Sequence, residues 1–90
     1  MFYVYALKSL ARSYIYVGLT DNLARRIEQH QAGHSKTTRP YRPFEVIYTE
    51  TQPTRMLARQ REKYLKSGAG KEFLKTINHA EVAKLVDAQP

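Results

Sequence analysis

Two short aromatic and β-branched runs, Phe2-Tyr3-Val4-Tyr5-Ala6-Leu7 and Tyr14-Ile15-Tyr16-Val17-Gly18, stand near the start of the chain with only a polar break between them. Runs of this composition read as strands, and a gap of about five residues suits an antiparallel hairpin. Period-two alternation puts Tyr3, Tyr5 and Leu7 on one face of the first strand and Phe2, Val4 and Ala6 on the other. On the second strand Tyr14, Tyr16 and Gly18 share a face, opposite Ile15 and Val17. A lone hairpin is marginal in water, so the rest of the chain must cover this one.

The next segments supply the cover. Thr20, Asp21 and Asn22 are plausible caps for a helix over Leu23 to Gln31, with Leu23 and Ile27 toward the core. Arg26 and His30 sit one turn apart on a neighbouring stripe. Gly33 ends the helix, and His34 to Pro43 is a polar, basic loop. Phe44 to Thr51 alternates as a third strand, with Val46 and Tyr48 opposite Ile47. Pro53-Thr54 opens a second helix through Lys66, whose expected buried stripe is Leu57, Tyr64 and Leu65, with Glu62 on its flank beside Ala58. Gly68 and Gly70 break the chain before a short third helix, Lys71 to Ile77, apolar along Phe73, Leu74 and Ile77. The order ββαβαα predicts an α+β fold, a small three-stranded antiparallel sheet flanked by helices.

One domain, residues 1–77, accounts for all of these elements. The tail, residues 78–90, carries helical apolar spacing at Val82, Leu85 and Val86. It also resembles the peptide made when a reading frame runs on into an adjacent tRNA gene, which is the reading of a non-native extension.

Charge and cysteine usage narrow the function. The chain has 90 residues, no cysteine, and 15 Lys and Arg against 8 Asp and Glu, a formal charge of +7. Disulfides, a thiolate metal site and a cysteine nucleophile are excluded. No segment approaches a membrane span or a cleavable signal, so the expected compartment is the cytoplasm. A domain this basic is expected to seek a polyanion, DNA or RNA before any other. There is no Asp-x-Asp and no pair of Glu on one helical stripe, so clustered carboxylates for two metal ions are missing.

Tyr3-Val4-Tyr5 followed by Tyr16-Val17-Gly18 resembles the two tripeptides that name the GIY-YIG endonuclease superfamily. Tyr5 and Tyr16 match its two tyrosines and Gly18 its second glycine, while Tyr3 replaces the first glycine. Arg26 matches the family's first-helix arginine, His30 the tyrosine or histidine one turn later, and Glu62, in Arg61-Glu62-Lys63-Tyr64, the metal-binding glutamate. The resemblance covers Phe2 to Leu74 and is similar to the nuclease domain at the start of the excinuclease C subunit. It implies a DNA endonuclease using one divalent ion, Mg²⁺ or Mn²⁺, on Glu62. Arg26 would neutralise phosphate charge, Tyr5 or Tyr16 would serve as base with its phenolate stabilised by arginine and metal, and His30 would relay or orient. Arg39, Arg42, Arg55, Arg59 and Lys66 are the basic residues expected to guide a nucleic-acid backbone.

Taken singly, each of these residues has an ordinary alternative. Strand tyrosines pack in cores, Arg26 can be a helix-surface charge, and Glu62 can be the i, i+4 partner of Lys66. The alternative function is a non-catalytic nucleic-acid-binding module on the same fold.

Overall fold

The computed structural model describes the backbone of residues 1–87 and the side chains of residues 1–77. Strand β1 (Phe2–Ser9) turns through Leu10 to Tyr14 into β2 (Ile15–Thr20), and the pair is antiparallel with Tyr5 opposite Gly18 and Leu7 opposite Tyr16. Ser9 organises the turn. Its hydroxyl accepts from the amides of Ala11 and Arg12 and donates to the Tyr41 carbonyl, which ties the hairpin to a loop far along the chain.

Helix α1 (Leu23–Ala32) starts at Asn22, whose side chain accepts from the Arg25 amide, and ends at Gly33. A short 3₁₀ turn at Arg39–Tyr41 leads into β3 (Phe44–Gln52), antiparallel to β1. The sheet order is β2-β1-β3, so the first strand lies in the middle and β2 and β3 are both edges. Helix α2 (Arg55–Lys66) is capped by the Thr54 side chain, which accepts from the Leu57 amide. The α+β architecture expected from the sequence, three antiparallel strands with helices, is the architecture found.

The sheet has a core on each face. Val4, Ala6, Val17 and Ile47 pack with Ala58 and Leu65 of α2 and with Leu74. On the other face Tyr5, Leu7 and Phe44 pack with Tyr14, Tyr16, Tyr41 and the α1 residues Leu23 and Ile27. The alternation of β1 and β2 follows the sequence reading. That of β3 does not: a bulge lets Ala6 pair with Tyr48 and Leu7 with Val46, so Ile47 is the extra residue. The bulge changes the phase of the strand. Phe44 faces α1, whereas Ile47 and Tyr48 both join the cluster beneath α2, although alternation alone sets them on opposite faces.

The helices differ from expectation in two ways. The buried positions of α2 are Ala58, Glu62 and Leu65, while Leu57 is 40% and Tyr64 44% exposed. Ala58 lets the helix axis approach the sheet closely, and that contact rotates Leu57 and Tyr64 outward. Nor do Gly68 and Gly70 interrupt the chain at length. Only Ser67 separates α2 from α3 (Gly68–Asp87), and it closes one helix and opens the other: its amide bonds the Tyr64 carbonyl, while its hydroxyl accepts from the Gly70 amide. Gly70 lies so close to α2 that an added Cβ would stand 2.1 Å from the Tyr64 carbonyl oxygen. Helix α3 therefore runs through the position where a short third helix was expected to end. The side chains of residues 78–87 and the whole of 88–90, which make up the suspected non-native tail, lie outside the described residues. No helix among the described residues is long and apolar enough to cross a membrane.

Candidate active site at the edge of the sheet

The strand pairing already brings two of the candidate residues together. Tyr5 sits opposite Gly18, and a Cβ on Gly18 would meet the Tyr5 hydroxyl oxygen at 2.6 Å. The missing side chain lets the Tyr5 ring lie across β2 and carry its hydroxyl toward the outer edge of the sheet. Tyr16, one pair along, has its ring centroid 6.2 Å from that of Tyr5. Tyr5 is fully buried and Tyr16 only partly so.

Helix α1 delivers the next two. His30 is the buried residue of this amphipathic helix, with its ring 4.8 Å from Tyr16 and 5.9 Å from Tyr5. Its Nε2 lies 3.0 Å from the Tyr5 hydroxyl and its Nδ1 2.9 Å from the hydroxyl of Thr38, itself buried. Arg26, one turn earlier, bonds Gln29 through Nη1 at 3.1 Å and makes polar contact with the hydroxyls of Tyr5 and Tyr16. Either ring nitrogen can carry the imidazole proton, so His30 links the two hydroxyls as donor to one and acceptor from the other.

Electrostatics agree with that chain. Burial, before any other cause, pushes the Tyr5 phenol up to about 12, and the Arg26 bond only partly offsets it. The phenolate stabilisation expected from the arginine is therefore outweighed at Tyr5 by desolvation. Burial and then the Arg26 charge hold His30 below its ordinary value, so the ring is neutral near pH 7. The Tyr5 contact, more than any other cause, raises the pKa of Arg26.

Glu62 comes from the opposite layer. It is 7% exposed on α2, beneath the sheet, yet its charge reaches Tyr5 and contributes to raising that phenol. The two layers meet because the sheet is only three strands wide and β2 is an edge. Lys66, which pairs with Glu62 Oε2 at 3.3 Å, lines a groove together with Tyr14, Tyr16 and Val17 of that edge. The other carboxylate oxygen pairs with Arg59 at 3.3 Å, and both cations are more than half exposed.

The donor set can be tested against a divalent ion. No cluster of three His, Asp or Glu occurs among the described residues, so a cage built by the protein is not available. A single buried carboxylate, paired with two solvent-exposed cations that can turn away, fits a hard ion bound mainly by water and phosphate oxygens. Mg²⁺ and Mn²⁺ are ions of that kind, and Glu62 is the residue that would hold one.

The five basic residues expected to guide nucleic acid divide. Arg59 and Lys66 flank Glu62. Arg39 and Arg42 are engaged elsewhere: Arg39 Nε bonds the Gly33 carbonyl at 2.9 Å and Arg42 Nη1 the Ala32 carbonyl at 3.1 Å, satisfying the end of α1. Arg55 stands over the Phe2 ring at 5.7 Å. Sequence reasoning missed Thr38, which nothing in its loop singles out, and Lys71, whose Nζ bonds the Ile15 carbonyl on the β2 edge at 3.1 Å.

The chain is similar to known proteins. A family model described as the GIY-YIG catalytic domain matches residues 1–78. A UPF0213 protein of Natronomonas pharaonis is 42% identical over 66 residues, 72% of this chain and 76% of that protein. One from Oceanobacillus iheyensis is 38% identical over 80 residues, covering 88% and 92%. The solution NMR structure of a UPF0213 protein from Bacillus halodurans superimposes with a TM-score of 0.52 at 33% identity, over 86% of this chain and 85% of that one.

Proposed function

The chain belongs to the GIY-YIG catalytic-domain family, a nuclease family, and on that premise we propose that it is an endonuclease hydrolysing DNA phosphodiester bonds with one divalent ion. The observation that carries the reading is the meeting of Tyr5, Tyr16, Arg26 and His30 on one sheet face, with Glu62 paired to Lys66 of the groove along β2. The roles follow from exposure. Tyr5, buried and pushed up to about 12, keeps its proton and fixes His30 and Arg26. Tyr16, partly exposed beside the groove, is the base. Water adds to phosphorus, its proton passes to the Tyr16 oxygen as the phenol's own proton passes to solvent, the bond to the leaving strand's oxygen breaks, and that oxygen is protonated from solvent.

Arg26 bears fixed planar charge on the phosphate and loses no proton while doing so. Glu62 would hold Mg²⁺ or Mn²⁺, which supplies Lewis-acid neutralisation of the phosphate charge that builds up in the transition state. Arg59 and Lys66, exposed on either side of the carboxylate, can turn from Glu62 to phosphate oxygens. RNA carries the same phosphates and is an admissible substrate.

One observation favours the second reading, a binding module without turnover: both Glu62 oxygens already have cationic partners. Cleavage of linear and branched DNA in Mn²⁺, wild type beside Glu62→Gln, separates the two. The enzyme reading expects the variant to lose cutting while binding DNA within a few-fold, and Arg26→Ala and Tyr16→Phe to slow it by about 10²–10³-fold each. Equal rates in wild type and Glu62→Gln would show that the activity is not from this site. Binding by both with cutting by neither establishes the module.

A further inference from the structure

Concavities along the outer edge of β2 run into one another. Nearest the site, the wall is Tyr14, Ile15, Tyr16, Val17, Lys66 and Lys71. The next shares Tyr14, Ile15 and Lys71 and adds Lys75, and the last, about 550 Å³, continues to Arg12 and Lys8 under the hairpin turn. Five cations thus line these adjoining concavities: Lys66, Lys71, Lys75, Arg12 and Lys8. Two acids pair with members of this set, Glu62 with Lys66 and the exposed Glu72 with Lys75 at 3.6 Å, so positive charge remains in excess.

The strand edge itself faces these concavities. The Ser9 amide bonds the Tyr14 carbonyl, so Tyr14 and, by alternation, Tyr16 and Gly18 turn their backbone groups toward β1. Ile15, Val17 and Leu19 turn theirs outward, and Lys71 has already taken the Ile15 carbonyl. Amide donors are left facing the groove. Lysines beside an edge strand discourage another strand from pairing there, while the same lysines and amides suit an anionic chain.

We propose that this groove holds the sugar–phosphate backbone of a single nucleic-acid strand and leads it to Tyr16 and Glu62. This inference rests on the phosphodiesterase reading above. A single strand fits better than a duplex for two reasons. The cation-lined concavities adjoin along one strand edge, where a duplex presents two backbones. Tyr14, half-buried and stacked on Tyr41 at 3.8 Å, adds an aromatic surface beside those cations, and unpaired bases, not paired ones, can stack on it.

Arg12 and Lys75 test the proposal, because both are exposed and neither touches the catalytic group. Binding of a labelled single-stranded oligonucleotide, and of a hairpin duplex with the same number of phosphates, is measured in EDTA over a salt series. Wild type should prefer the single strand. Arg12→Gln with Lys75→Gln should weaken that binding about 10-fold and flatten the log–log salt slope by roughly 1.4, two phosphates at about 0.7 each. If the double variant loses melting temperature, Lys75→Gln alone should show half the change in slope. An unchanged slope, a preference for the duplex, or no binding by wild type overturns the groove. EDTA keeps the result independent of turnover: cleavage by wild type with unaltered variant binding would refute the groove and leave the nuclease standing. The expected binding with no cleavage in Mn²⁺ would refute the nuclease and leave the groove.

Discussion

At the scale of single residues, the site is a chain of protons held by burial. The His30 ring links the Tyr5 and Thr38 hydroxyls, and the Arg26 charge acts on Tyr5. A phenol raised from its ordinary value favours the fold as long as it stays protonated. Its contribution is complete below pH 10 and is lost as pH climbs toward about 12, a loss of about 2–3 kcal/mol by linkage. His30 behaves in the opposite sense. Held below its ordinary value, it stabilises the fold fully above about 6.5, and that contribution falls away as acid protonates the unfolded chain first. Melting temperature measured across pH should therefore drop at both ends. Tyr5→Phe should remove most of the alkaline drop and leave the acid one, and an unchanged alkaline drop would mean that the Tyr5 phenol is not the buried group responsible.

Between elements, close approach decides the geometry. Helix α3 starts against the end of α2 at Gly70, where a Cβ would collide with backbone of Tyr64 and Leu65, whereas a Cβ on Gly68 would meet nothing within 4 Å. Two alanine substitutions two residues apart should therefore act oppositely. Gly70→Ala forces the helices apart and should cost about 1–3 kcal/mol or more, as overpacking does. Gly68→Ala gains helix propensity and should be neutral or stabilising by up to about 1 kcal/mol. Chemical denaturation of both variants checks the pair, and equal effects would contradict the packing seen at Gly70. The Glu50 carboxylate joins β3 to α2 by similar means. Burial alone would raise its pKa, but bonds from Arg61, Tyr48 and Gln52 outweigh that and leave it lowered.

For the whole molecule, the layers matter more than the chain order. Each core cluster among the described residues ends at or before Leu74, and Tyr5, Tyr16, Arg26, His30 and Glu62 all precede it. Truncation after Ile77 should then keep the fold, with a melting temperature within about 5 °C of the full chain, roughly 1 kcal/mol for a domain of this size. A larger fall would show that the part of α3 beyond Ile77 packs on the domain. The same layering explains how a net charge of +7 can serve one edge. Arg39, Arg42 and Arg61 are drawn into bonds that hold the fold together, while Lys66, Lys71 and Lys75 line the β2 side.

The hairpin and α1 were legible in the sequence because their information is local. Alternation separates Tyr5 and Leu7 from Val4 and Ala6, Asn22 caps α1, and Arg26 and His30 fall one turn apart, whatever the rest of the chain does. The aromatic tripeptides and the family they resemble were legible for the same reason. What tertiary structure alone decided depends on contacts between distant segments. The bulge at Ile47 swings Tyr48 to the face beneath α2, and Ala58 turns α2 so that Leu57 is exposed and Glu62 buried. Thr38 becomes the partner of His30 only when the loop folds back over α1. Above all, Glu62 of α2 and Tyr16 of β2 come to the same groove, through Lys66, because β2 is an edge. Strand order belongs to the pairing of segments far apart in sequence, and no local pattern carries it.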